Sequence, residues 1–258
     1  MQNAVLCIVA HPDDESRLCG GILAHLAGQG VAVHVVCLTR GEGGELGEPP
    51  LATRDTLGAV REDEMVCAVQ RLGGRSLTFL DYVDPLVGEN DTLHAPEHTP
   101  AMLAAQLANA MTQFQVAAVL THGSNGEYGH PAHKLLYQMT LAAVLSLGEH
   151  APVMYSFAAS YPEHPYPRLA NEDDPAHVVV DVRPYLDGPV LAATLCHRTQ
   201  HALFVRRMSE DAGRPVTLAE VVQRMPFEAV HRHWPPVNPG DRPDDVMVGW
   251  LTQGGGNE

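Results

Sequence analysis

The sequence predicts a three-layer α/β fold of the Rossmann-like type, with a mainly parallel sheet and helices on both faces. Short apolar runs rich in branched residues alternate with segments whose apolar residues recur every three or four positions. The connections between these segments are short, as in right-handed β–α–β units. A chain of 258 residues can build one such domain around a single core.

The first β–α–β unit shows this alternation most clearly. Residues 5–10 form a continuous apolar run, as expected for a parallel strand buried on both faces. Residues 18–28 predict a helix, because Leu18, Ile22 and Leu26 recur at helical spacing. Residues 31–38 are the second predicted strand. The glycine-rich, acidic segment that follows it predicts a loop.

The alternation continues to about residue 150. Val60, Met65, Val69 and Leu72 recur at steps typical of a helix. The remaining elements of this half are predicted strands at 76–80 and 116–121 and helices at 57–72, 102–114 and 134–147. We therefore expect a Rossmann-like core over residues 1–150.

The C-terminal part has a less regular pattern. Residues 155–174 are rich in proline and predict a loop, followed by a strand at 178–182 and a helix at 190–208. We find no internal repeat and no domain boundary. The prediction is one domain over residues 1–258, in which residues 151–258 are irregular additions that shape a substrate pocket.

Composition excludes several classes of partner and predicts a location. The chain has 31 acidic and 16 basic residues and a net charge of −15, so nucleic acid and anionic membranes are not expected partners. No apolar stretch is long enough to span a membrane, and the first residues lack the basic start of a signal peptide. The five cysteines are an odd number without a C-x-x-C pair, so we expect no disulfide framework and a cytoplasmic location.

A histidine and three acids, His11-Pro12-Asp13-Asp14-Glu15, directly follow the first predicted strand. In an open α/β sheet, sites form at the carboxyl ends of strands. His11 and Asp14 are ligand types of catalytic zinc, which leaves Asp13 to take a proton from water. Asp13 or Asp14 could instead cap the next helix, although capping does not explain His11. The G-x-G-x-x-G pattern of a dinucleotide site is absent here, so no nucleotide cofactor is expected.

A second polar segment follows the fourth predicted strand, and a third zinc ligand is expected within it. Its candidate side chains are His122, Glu127, Tyr128, His130 and His133. A surface position is the alternative for any single histidine of the fifteen in the chain.

One pair of histidines outside these motifs is a rival candidate for a metal site. His197 and His201 lie four apart on a predicted helix, but Arg198 stands where a zinc protease has glutamate. His231 and His233 are expected to be exposed.

The two motifs together, AHPDDE and YGHPAH, resemble those of the LmbE-like (PIG-L) superfamily of N-acetylglucosaminyl deacetylases. The segments TRGEGGELG, VREDEM and FLDYVDP are similar as well, so the resemblance covers residues 5–147. It implies zinc ligands at His11, Asp14 and His133 and a general base at Asp13.

The resemblance also implies roles for four further residues. His130 would assist electrostatically or as an acid, Tyr128 would stabilise the oxyanion, and Arg61 and Asp84 would contact sugar hydroxyls. The chain departs from the family at Ala132, where relatives commonly carry an aspartate between the last two histidines. Without that acid, either His130 is a weaker acid at neutral pH or another carboxylate takes the place of the aspartate.

We therefore predict a zinc-dependent N-deacetylase acting on an N-acetylglucosamine-type sugar or its glycoside, such as a low-molecular-weight thiol precursor. The ligand types also suit other divalent transition metals. An amidase for a thiol-sugar conjugate is the nearest alternative, and a sugar-binding protein with a structural metal is the alternative outside enzymes. The expected partner is a small amino sugar, and a homo-oligomer is possible.

Overall fold

The structure, a computed structural model, describes residues 3–166, 169–238 and 240–253. Within them, seven strands form one sheet and two short strands pair beside it. The strands are β1 (Ala4–Val9), β2 (Ala32–Thr39), β3 (Ser76–Tyr82), β4 (Ala118–Thr121), β5 (Val153–Ser156), β6 (Ala159–Ser160), β7 (Asn171–Pro175), β8 (Val178–Asp181) and β9 (Phe227–Trp234). The helices are α1 (Asp14–Arg17), α2 (Gly20–Gly28), α3 (Leu57–Arg71), α4 (Pro100–Phe114), α5 (Pro131–Ser146), α6 (Arg183–Tyr185), α7 (Leu191–Cys196), α8 (His201–Ala212), α9 (Leu218–Gln223) and α10 (Val246–Thr252).

The large sheet has the strand order β3-β2-β1-β4-β5-β9-β8. The first five strands are parallel, whereas β9 runs antiparallel to both β5 and β8. The predicted mainly parallel sheet is therefore confirmed. The strand order reverses direction between β1 and β4, and in such sheets the crevice at this point is the usual ligand site.

Two apolar clusters lie on opposite faces of β1. Val5, Cys7 and Val9 pack toward α2 and α3. Leu6 and Ile8 pack toward α4 and α5. Burial on both faces explains why β1 is apolar throughout, and the predicted helices on both faces are confirmed.

The C-terminal part departs from its predicted pattern in two ways. β5, β8 and β9 extend the main sheet, and β6 and β7 lie in the segment predicted as a loop. The helix predicted at 190–208 is broken, because α7 ends at Cys196 and His197 has a non-helical backbone (φ −79°, ψ 60°).

One pair of cysteines corrects the sequence-based expectation. Cys67 on α3 and Cys196 at the end of α7 form a disulfide, with their Cα atoms 5.8 Å apart. They are 129 positions apart in the chain, so spacing gave no sign of the bond. Because Cys67 and Cys196 are bonded, the cysteines no longer support a cytoplasmic location, which stays a prediction. No helix among the described residues has the length and apolar character needed to cross a membrane.

Candidate active site

The turn after β1 places Asp13 in an unusual backbone conformation. Its φ is 114°, a region that costs a non-glycine residue about 1–3 kcal/mol. The turn is held from two sides. The Asp13 N–H donates to Glu15 Oε2 at 2.9 Å. The Arg61 guanidinium donates to the Pro12 carbonyl and, at 3.2 Å, to Asp13 Oδ2.

The structure brings His11, Asp14 and His133 together. Asp14 Oδ2 lies 3.5 Å from His11 Nδ1 and 3.5 Å from His133 Nε2. A ring nitrogen of His11 lies within 4.8 Å of one of His133. His133 Nε2 is buried and has no hydrogen-bond partner among the described residues. An unpartnered imidazole nitrogen beside a buried carboxylate fits a divalent metal ion.

Glu127 holds this arrangement, although the sequence motifs assigned it no role of its own. Its buried carboxylate accepts hydrogen bonds from His133 Nδ1 at 2.5 Å and His122 Nδ1 at 3.1 Å. Burial would raise the pKa of Glu127, but the two imidazoles lower it to about 2. The ionised carboxylate keeps the proton of His133 on Nδ1 and leaves Nε2 free for a metal.

His122 and His130 are further candidate metal ligands, because each has a ring nitrogen close to one of His133. Asp14, His122 and His133 form one possible ligand group, and His11, His130 and His133 form another. The Ala10 N–H donates to His122 Nε2 at 3.0 Å, so that nitrogen is occupied. His130 caps α5 by accepting the Ala132 N–H at its Nδ1, so in the neutral ring Nε2 carries the proton and can donate a hydrogen bond.

Burial shifts the two candidate proton carriers in opposite directions. It raises the pKa of Asp13 to about 6, although the charge of Arg61 works against the shift. It lowers the pKa of His130 to about 3, and the nearby His133 and His11 add to that effect. His130 is therefore neutral at pH 7. Asp13 titrates close to the range in which a general base works best.

Tyr128 stands at the rim of the site. Its ring centroid lies 5.7 Å from those of His130 and His133, and 54% of the residue is exposed. Burial raises the pKa of Tyr128, and the negative charges of Asp14 and Asp13 raise it further. The hydroxyl is therefore protonated and can donate a hydrogen bond.

Arg61 and Asp84 both line the site, and both also contact its other residues. Asp84 Oδ1 lies 3.3 Å from His11 Nε2. Arg61 is 3% exposed and donates to the Gly41 carbonyl at 3.0 Å, besides its contacts with the turn after β1. Arg61 thus supports the loops around the site, and its predicted contact with a sugar stays a prediction.

The positions of the histidine pairs outside the two motifs differ from those expected. His197 and His201 do not share a helix face, because the chain breaks between α7 and α8. His197 Nε2 instead lies 2.6 Å from Glu15 Oε1, with both side chains fully buried. His201 Nε2 lies 3.2 Å from the Leu195 carbonyl. The expected exposure of His233 is also wrong, since its side chain is 8% exposed.

A cavity of about 1020 Å³ opens above this site. His11, Asp13 and Asp14 lie among its lining residues, together with Tyr128 and His130. Much of the remaining wall is apolar and comes from α8 and nearby segments, including Leu18, Leu86, Leu203, Phe204, Met208 and Met225.

The profile of the family described as PIG-L: GlcNAc-PI de-N-acetylase matches residues 6–144. The chain belongs to the PIG-L family. The family predicted from the two motifs is confirmed. Similar to this PIG-L chain is the 1D-myo-inositol 2-acetamido-2-deoxy-alpha-D-glucopyranoside deacetylase of Mycobacterium sp. (strain KMS), at 30% identity over 96% of this chain and 87% of the relative. The probable N-acetyl-alpha-D-glucosaminyl L-malate deacetylase 2 of Bacillus anthracis is 30% identical over 86% of this chain and 93% of the relative.

Solved structures agree on the fold of this PIG-L protein. GalB, the 4-carboxy-2-hydroxymuconate hydratase of Pseudomonas putida KT2440, superposes with a TM-score of 0.60 at 23% identity, covering 92% of this chain and 98% of that one. That neighbour is named a hydratase, so the fold alone does not select the reaction.

Proposed function

We propose that this PIG-L protein is a zinc-dependent hydrolase that removes the acetyl group from the nitrogen of an N-acetylglucosamine-type sugar. The observation that carries the proposal is the buried, unpartnered His133 Nε2, 3.5 Å from Asp14 Oδ2. Asp13 directly precedes Asp14 in the chain, and both residues line the cavity. The names of the two curated relatives support this reaction class.

His11, Asp14 and His133 would hold the ion. The bound ion supplies Lewis acidity, which polarises the amide carbonyl and makes water more acidic. Two imidazoles and one carboxylate leave a coordination position open, as catalytic sites require. A structural site would be closed by a fourth protein ligand, so the binding-only alternative has less support. Iron, nickel or cobalt could bind the same donors.

Asp13 acts as the general base and takes a proton from the attacking water. The Tyr128 hydroxyl donates a hydrogen bond to the developing oxyanion, and one such donor contributes roughly 3–4 kcal/mol to transition-state stabilisation. Because His130 is neutral at pH 7, Asp13 delivers its proton to the departing amine. His130 then contributes a hydrogen bond from a neutral ring, which fits the absence of an acid at position 132.

The cavity favours a sugar that carries a second group. Its volume of about 1020 Å³ lies at the upper end of the range for small-molecule sites. The apolar wall from α8 also keeps the second candidate open, an amidase for a bulkier thiol-sugar conjugate. Inositol and malate glycosides of N-acetylglucosamine are the first substrates to compare. The cytoplasm and a homo-oligomer remain our proposals for location and assembly.

The deciding experiment measures amine release from N-acetylglucosamine and these two glycosides. The protein is stripped of metal and then resupplied with zinc. Release should appear with zinc and be absent in His133→Ala. His150→Ala is the matched control and should keep full activity, because His150 is an exposed histidine in the turn after α5. Tight zinc binding without release from any amide, the thiol-sugar conjugate included, would overturn the proposal.

A further inference from the structure

We propose a second divalent-cation site, formed by Asp174 on β7 and by His231 and His233 on β9. We call these three residues the β7–β9 cluster. One donor atom from each residue lies within 4.8 Å of the other two. None of the three lines the cavity of the candidate active site, so the two sites are separate.

The closest pair in the cluster already has a spacing typical of metal ligands. Asp174 Oδ2 lies 3.6 Å from His233 Nε2. Two ligands about 2.0 Å from a tetrahedral zinc lie about 3.3 Å apart, so a shift of a few tenths of an ångström would suffice for this pair.

Each of the two imidazoles has a possible hydrogen-bond acceptor at Nδ1, which favours Nε2 as the nitrogen that would bind a metal. His231 Nδ1 lies 2.6 Å from the Pro175 carbonyl, which can only accept, so Nδ1 carries the proton and Nε2 has the free lone pair. His233 Nδ1 lies 3.1 Å from the Tyr137 hydroxyl, which can accept a hydrogen bond from Nδ1. Carbonyl and hydroxyl partners of this kind orient histidine ligands in metal sites.

The carboxylate is also fixed in place. Asp174 is 5% exposed, and its Oδ2 accepts hydrogen bonds from the Ser124 N–H at 3.1 Å and from Asn171 Nδ2 at 2.5 Å. The same oxygen is the one that lies close to His233. Two donors therefore hold a buried carboxylate beside two imidazoles.

His177 is the nearest further histidine, and its contacts exclude it as a ligand. Its ring lies 4.3 Å from that of His231. Its Nδ1 accepts the Arg232 N–H at 3.0 Å, so its proton stays on Nε2 and neither nitrogen has a free lone pair. The site would therefore have three protein ligands, and an ion at His233 Nε2 would replace the hydrogen bond that this nitrogen makes with Ser156 Oγ at 2.9 Å.

The site would stabilise the segment that carries the catalytic residues. Asp174 accepts a hydrogen bond from the backbone of Ser124, which lies in the loop that carries Glu127, Tyr128 and His130. An ion in the β7–β9 cluster would fix β7 and this loop against β9. We infer a structural ion that raises the stability of the protein, in addition to any catalytic ion.

Metal content after dialysis against zinc tests the proposal. Wild-type protein should keep about two ions per chain, and His231→Gln about one. His177→Gln, which alters the adjacent histidine that is no ligand, should keep two. His231→Gln should still release amine when one ion is supplied, because the residue lies outside the active site. One ion in the wild type, or two in His231→Gln, would overturn the proposal.

A variant of the first site separates this proposal from the proposed function. His133→Ala should keep about one ion per chain, held by the β7–β9 cluster, even if the protein proves not to be a deacetylase. Zinc should raise the melting temperature of His133→Ala but not that of His133→Ala/His231→Gln. Circular dichroism without metal establishes that both variants fold. Equal zinc-induced shifts in the two variants would contradict the second site.

Discussion

Asp13 combines three properties that are otherwise rare in one residue. Its backbone is left-handed, its partly buried carboxylate accepts a hydrogen bond from Arg61, and the two acids that follow it have other partners. Asp14 faces the histidines, and Glu15 is paired with His197. This division leaves Asp13 as the acid of the motif that is free to move a proton.

Asp13→Asn should lower kcat by roughly 10²–10⁴-fold while the metal content stays unchanged, because only proton transfer is lost. Asparagine accepts the left-handed conformation, so the turn should persist. Asp14→Asn should instead lose the ion. Asp81→Asn is the control, since Asp81 also has a positive φ of 61° but its side chain is 74% exposed. Kinetics and metal analysis check the set, and equal metal loss in the Asp13 and Asp14 variants would contradict these roles.

The raised pKa of Asp13 predicts the acid side of the pH profile. A base must be ionised to act, and burial raises the pKa of this carboxyl to about 6. We expect kcat/KM to fall about tenfold per pH unit below pH 6 and to be flat just above it. An ordinary aspartate would give that fall near pH 4. In Asp13→Asn, the residual kcat/KM should not decrease below pH 6. If the decrease persists in this variant, the group that titrates is not Asp13.

At the scale of elements, local pattern predicted β1, α3, α4 and α5, because each buries a regular apolar face. β9 was missed because polar residues interrupt its sequence. The hydrogen-bond partners of these polar residues lie far away in the sequence. For example, the Glu228 carboxylate accepts hydrogen bonds from the backbone N–H groups of Gly21 and Ile22 in α2. The break between α7 and α8 depends in the same way on Glu15, 182 residues from His197.

In the candidate site too, the sequence motifs locate some residues, whereas others are identified only by their contacts in the structure. The motifs located His11, Asp14 and His133, since the carboxyl ends of neighbouring parallel strands meet at one edge of the sheet. The role of Glu127 depends on two simultaneous contacts, with His122 and His133, that no spacing reveals. The sequence could therefore supply ligand types but not the residues that orient them.

The break between α7 and α8 gives a test at this scale. His197→Ala would leave Glu15 buried without its partner, which should lower the free energy of unfolding by roughly 3–5 kcal/mol. His201→Ala should change it by less than about 1 kcal/mol, because that ring has only a peripheral contact. Urea denaturation followed by circular dichroism measures both. Similar losses in the two variants would show that the pair with Glu15 contributes little.

Across the whole molecule, C-terminal segments enclose the site that the first half of the chain supplies. The Cys67–Cys196 bond joins α3 to α7 just before His197, and Gln200 Nε2 donates to the Glu45 carbonyl in the loop after β2 at 3.0 Å. α8 then continues as a wall of the cavity. Differences in substrate choice within this fold are therefore expected to depend on α8 rather than on the ligand motifs.

Leu203 on α8 allows this dependence to be measured. Leu203→Ala should raise KM for amides that carry a bulky apolar group by roughly 10-fold, the effect of losing about 1–2 kcal/mol of apolar contact. It should leave KM for N-acetylglucosamine itself nearly unchanged, because the sugar would bind beside the metal ligands. Leu145→Ala is the matched control: Leu145 is 49% exposed against 44% for Leu203, but lies outside the cavity. Equal KM changes for small and bulky amides would mean that α8 does not contact the substrate. A change confined to bulky amides would instead favour conjugates over simple glycosides as the physiological substrates.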